Sequence, residues 1–182
     1  MNLTLALPAL NWGDETRLPP LDVPALNQLL RFGRFSAAPQ SSAAFFADYL
    51  WQGSLLALTK QALSIPAEQP AVFASPVWQQ MRMHRMSKLG GSEIGISAAE
   101  AAELCEGLNQ FYADDGWRFQ VYRPDLWLLC LPETADWQAE PVLDVLGEVD
   151  GTMRAQGDGS RAWLSAQTEI QIWLHNHAQN AG

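Results

Sequence analysis

The stretch Ser97–Leu131, SAAEAAELCEGLNQFYADDGWRFQVYRPDLWLLCL, decides the fold. Ser97 followed by Glu100 forms a capping box, in which the serine oxygen accepts from an early helix amide and the glutamate reaches back to the serine amide. Behind it Ala101, Leu104, Cys105, Leu108, Phe111 and Tyr112 step by three and four, the stripe of a helix with one buried face. Asp114-Asp115-Gly116 stops that helix, because glycine takes the left-handed conformation that a β-carbon resists. From Trp117 the period becomes two: Trp117, Phe119 and Val121 share one face, and Arg118, Gln120 and Tyr122 share the other. Arg123-Pro124-Asp125 makes a turn. Leu126–Leu131 is apolar on both faces, which predicts a strand central in its sheet.

Composition sets the outer limits. The chain has 182 residues, 48% of them hydrophobic, with eight tryptophans, enough for one well-buried domain. Twenty acids against eleven bases give a net charge of −9, which weighs against nucleic acid or an anionic membrane as a partner. No run reaches the ~18 apolar residues of a membrane span. The opening MNLTLALPAL lacks a basic leader region and reads as a first strand, so a cytoplasmic location is expected. Cys105 and Cys130 fall in a helix stripe and an apolar strand, where cysteine acts as a small hydrophobe rather than a disulfide partner.

Outside the central stretch the signals are simpler. Residues 11–20 form a Gly/Pro-rich connection, and Asp22 caps a short helix with Pro24 in its first turn and Leu26, Leu29 and Leu30 on one side. Arg31 and Arg34 close that helix. Ser41 or Ser42 caps a helix through Phe45, Phe46, Tyr49 and Leu50, broken near Gly53, and a further helix carries Leu55, Leu56, Leu58 and Leu63. Residues 71–74 read as a strand, and MRMHRM, 81–86, as a second strand ending at the Gly90-Gly91 turn. Its Arg82, His84 and Arg85 supply cations for a modest anion site or, more simply, a solvated face. Residues 132–158 are acidic and loop-rich, and no calcium-loop spacing occurs there. A last helix runs from about Ser160 to His177 with Trp163, Ala166, Ile170, Trp173 and His177 as its stripe. His175 and His177 lie about 200° apart around it and do not form the i, i+4 pair of a zinc site.

No catalytic motif is present: no glycine-rich phosphate loop, no GxSxG elbow, no CxxC and no HExxH. Three histidines leave little for a multi-ligand metal centre, and neither metal nor cofactor is expected.

Two stretches carry a family resemblance. EIQIWLHNHAQN, 169–180, resembles the EIQ-x-x-LH-x-HP-x-N pattern of the RpfE-like bacterial regulatory proteins, and EAAELCEGLNQFYADDGWRF with PDLWLLCL resembles the helix and hairpin of the same family. Members are often labelled cofactor-independent phosphoglycerate mutases. In the archaeal type of that enzyme, a similar order of capped helix, two strands, acidic loop and final helix builds the domain inserted over the active site. The resemblance implies an α+β lid that helps hold a phosphorylated three-carbon acid, and it carries His177 and Asn180 over from the final motif. The chain departs from the family at Ala178, where the family has proline, and at Leu126, where it usually has arginine. The family also continues into a segment ending W-x-W-G, so the chain looks truncated at its C-terminus.

The resulting expectation is an α+β fold, with a mixed or antiparallel sheet covered by the helices 97–112 and 160–177. It is a single domain in which residues 1–70 form an N-terminal strand and helical layer and 71–182 the lid-like core. The expected function is a regulatory, non-catalytic RpfE-like protein that keeps a phosphometabolite or anion pocket built from Arg82, Arg85, Arg123, His177 and Asn180. Two alternatives stand beside it: a phosphoglycerate mutase-like enzyme, and a protein-interaction module using exposed tryptophans such as Trp137.

Overall fold

The computed structural model describes residues 23–32, 40–51, 53–82, 85–149 and 155–178, with backbone only at Leu29, Leu30, 81–82, 85–86 and 147–149. The expected first strand, the Asp22 cap, Arg34, His84 and Asn180 lie outside these residues. The fold is α+β, and every strand pair described is antiparallel. The chain divides into two compact units, Met1–Gln52 and Gly53–Gly182.

In the first unit, helix α1 spans Pro24–Phe32. Ser41 caps α2, Ser42–Phe46, by accepting from the Ala44 amide, and a π-helical turn follows over Ala47–Trp51. Aromatic contacts of Phe45 with Phe46 and Tyr49, and of Phe46 with Trp51, hold that turn together.

The second unit is built on a three-stranded sheet. Strand β1, Ala71–Phe73, pairs with β5, Leu126–Cys130, which pairs in turn with β4, Arg118–Arg123. The apolar run therefore is the central strand, and Leu128 and Leu129 are completely buried on opposite faces. Phe119, Trp127, Leu129 and Leu131 face helix α4, Ala98–Phe111, and helix α6, Ser160–Asn176. Leu128 and Cys130 face Ile65 and the apolar positions Leu56 and Leu63 in and after helix α3, Leu55–Ala62.

The α4 capping box is present in full: the Ser97 hydroxyl accepts from the Glu100 amide, and the Ser97 amide donates to the Glu100 carboxylate at 2.8 Å. Glu100 is accordingly held below the ordinary carboxylate range by its hydrogen bonds with Ser97. Gly116 ends the helix turn with φ +71°, as the Asp-Asp-Gly signal requires. The predicted stripe fails at one place. Tyr112 is buried and Phe111 is 50% exposed, because the register Ala101, Cys105, Leu108, Tyr112 takes the step of four after Leu108 and leaves Phe111 at the edge.

Two further corrections concern the flanks. The segment 81–86 is not one strand: β2, Trp78–Arg82, and β3, Arg85–Leu89, form a hairpin in which Arg82 pairs with Arg85. No Gly, Pro, Asn or Asp marks the turn, so the alternating pattern runs through it without a break. Strand β7, Gly147–Val149, adds to β3 after a one-turn helix α5, Val142–Val145, and β6, Trp137–Ala139, pairs with β8, Ala155–Gly157. Trp137 is not a free interaction residue. Its ring stacks on buried Trp163 at 3.9 Å with the planes 8° apart, and Trp117 and Tyr112 extend the aromatic row.

Candidate functional site

The expected anion ligands that are described stand on different elements. Arg123 lies at the β4–β5 turn, where its Nε and Nη2 donate to the two Asp125 oxygens at 3.1 and 2.7 Å. That fork is the arrangement a bound carboxylate or phosphate would otherwise use. The pair holds Asp125 below the ordinary carboxylate range and raises Arg123 further. Arg82 and Arg85 are backbone register partners in the β2–β3 ladder. His177 sits at the end of α6 with its ring 4.9 Å from Trp173, in a groove lined by Phe111, Ile172, Asn176 and Ala178, and Arg123 is not among its lining residues.

A different cation faces an open cleft. Arg118 and Gln120 lie on the β4 face directed away from α4, beside Leu128 and Cys130 of β5. Helix α3 has only eight residues and its apolar side covers β1 and β5. Arg118 is left exposed and Gln120 half-buried, and a cleft of about 600 Å3 opens between them and the loop 63–69. Ser64, Gln69, Asn109, Trp117, Arg118 and Gln120 supply its chemistry, and no carboxylate lines it among the described residues.

The loop side is built by one helix end. The Ser64 amide donates to Gln61 O and the Ile65 amide to Lys60 O, the two bonds of a Schellman motif. Its left-handed position is usually glycine; here Ser64 holds φ +56°, the only positive φ outside glycine among the described residues. Lys60, nine-tenths buried, donates from Nζ to Ala67 O at 2.6 Å and Gln69 O at 2.7 Å, and so fixes the loop with a cation. Gln69 Nε2 donates to Leu131 O at 2.6 Å and ties the loop to the sheet. On the other wall Asn109 accepts from the Phe119 amide at 2.6 Å and donates to its carbonyl at 3.1 Å, which locks α4 to β4 beside Arg118.

Cys130 reports on the local field. Burial pushes its thiol up, while the charges of Lys60 and Arg118 pull it back. Cys105, away from these cations, is pushed up to about 12 by burial alone. Both cysteines are free thiols.

Strand parity already put Arg118 and Gln120 on the face opposite Phe119. What the sequence does not carry is how far α3 extends over that face, and so Arg118, Lys60 and Ser64 went unselected. Among the described residues no three of His, Cys, Asp and Glu gather as metal ligands, and no helix is long and apolar enough to cross a membrane. No protein-family model, curated protein or solved structure matches the chain.

Proposed function

We propose that this chain is a regulatory protein of the RpfE-like kind that binds a small phosphorylated or carboxylated metabolite in the Arg118 cleft and does not turn it over. The observation that carries the reading is the placement of Arg118 at a cleft whose lining has no carboxylate, with the loop on its far side fixed by buried Lys60, in a chain of net charge −9. A guanidinium without a carboxylate partner offers a two-pronged donor to a phosphate or carboxylate, and partial desolvation in the cleft strengthens that bond. The C-terminal end of α4 opposes an anion with about half a negative charge, less than the full charge of Arg118. The Ser64 hydroxyl and the Gln120 amide add polar contacts, and Trp117 gives the carbon skeleton an apolar wall. The resemblance to the inserted domain of phosphoglycerate mutases supports a three-carbon phosphorylated acid as the ligand class.

Binding to the native state raises stability by mass action. Titration with 3-phosphoglycerate and inorganic phosphate should therefore raise Tm saturably, and Arg118→Ala should abolish the response while Arg123→Ala keeps it. Equal responses in the wild type and Arg118→Ala would refute the site. Interconversion of 3- and 2-phosphoglycerate by the purified chain would refute the non-catalytic reading.

A further inference from the structure

Helices α4 and α6 meet in a second groove that shares no residue with the Arg118 cleft. Trp173 packs so closely on α4 that a β-carbon at Gly107 would come within 2.6 Å of its ring. The two helices come into close contact at this point. At the rim, Phe111 remains 50% and Ile172 57% exposed, and with Trp173, Asn176, His177 and Ala178 they enclose about 480 Å3. Both exposed side chains stand on helices that pack other positions into the core, Ala101, Leu104, Cys105 and Leu108 on α4 and Trp163 on α6.

Charge distinguishes this groove from an ordinary apolar rim. Residues 98–117 contain Glu100, Glu103, Glu106, Asp114 and Asp115, residues 162–178 contain Glu169, and neither stretch contains a lysine or arginine. Glu106, one turn before Phe111 on α4, accepts from Gln110 Nε2 at 3.2 Å. Glu169 reaches the Tyr112 hydroxyl at 3.5 Å, one residue beyond Phe111. The only lysine or arginine on either helix is Arg161 in the first turn of α6, eleven residues before Ile172, so the chain next to the groove carries Glu106, Asp114, Asp115 and Glu169 and neither lysine nor arginine. An exposed apolar strip with charge of one sign around it selects a segment of opposite charge with an apolar anchor.

We propose that this groove docks a basic amphipathic segment of a partner protein, seating one large apolar side chain against Phe111, Ile172 and Trp173 while lysines or arginines face the flanking carboxylates. The acids speed and orient the encounter, and the anchor supplies the part of the affinity that salt does not screen.

The test is fluorescence anisotropy with two labelled helical peptides of one amphipathic pattern, one of leucine and lysine and one of leucine and glutamate. They are added to the full chain and to Phe111→Gln and Ile172→Gln, which leave the net charge unchanged. The lysine peptide should bind saturably, more weakly as salt is added, and about fivefold or more weakly to each variant, the loss expected for an interface anchor. Unchanged thermal melts of the variants would show that the fold is kept. The proposal is overturned if the lysine peptide does not bind, if both variants bind it as the wild type does, or if the glutamate peptide binds equally well. Sedimentation showing a dimer that either variant dissociates would overturn it in favour of a second copy of this chain.

Discussion

Arg118 stands directly opposite Cys130 across the β4–β5 ladder, so an exposed cation lies beside a buried thiol whose pKa its charge, with that of Lys60, lowers. Burial raises the Cys130 pKa and the Arg118 charge lowers it. Arg118→Ala should therefore raise it further, and an anion bound in the cleft should act in the same direction by offsetting the same charge. The pH dependence of alkylation, read site by site with mass spectrometry, measures this. Cys130 should shift to higher pH in the variant while Cys105 stays unreactive.

Ser64 holds a left-handed backbone at a position where glycine has no β-carbon penalty. That penalty is about 1–2 kcal/mol, against a smaller entropic cost of glycine in the unfolded chain. Ser64→Gly should thus stabilise the protein by up to about 1 kcal/mol in urea unfolding. Strain of this kind persists where a site needs it, so the same variant should bind 3-phosphoglycerate less well than the wild type.

Gly107→Ala sets two effects against each other. Alanine improves helix propensity by about 1 kcal/mol, but its β-carbon would lie within 2.7 Å of two Trp173 ring atoms. Overpacking of that kind costs about 1–3 kcal/mol. The clash should win, giving a lower Tm and a changed tryptophan fluorescence spectrum, because Trp173 must move.

Ser97→Ala removes a cap and should cost about 1 kcal/mol, a fall of roughly 2–4 °C in Tm. Its pH dependence follows from Glu100, whose folded pKa lies below its ordinary value of 4.5. A depressed carboxylate contributes stability that is present above its unfolded pKa and lost as pH falls through the folded one. The wild type should therefore lose more stability than Ser97→Ala as the pH is taken below about 4.5, and the gap between their melting temperatures should narrow.

The central stretch was legible because its signals are local. The capping box, the Asp-Asp-Gly stop and the change of period from 3.6 to 2 each sit within a few residues. The doubly apolar run of β5 announced that both its faces would be covered. The hairpin at 78–89 was missed because nothing in MRMHRM marks a turn, and Trp137 was misjudged because its stacking on Trp163 joins β6 to α6, elements the sequence does not pair. The candidate site was hidden for the same reason. Charge alone does not separate Arg123, neutralised by Asp125 two residues away, from Arg118, which has a carboxylate-free cleft before it.

The most direct measurement is an NMR titration of the labelled chain with 3-phosphoglycerate, following the arginine Nε–H and backbone amide signals. The account predicts saturable shifts at Arg118 Nε–H and at the amides of Ser64, Trp117 and Gln120, with Arg123 Nε–H and His177 unmoved. Shifts centred on Arg123 or His177, or none at all, would contradict it.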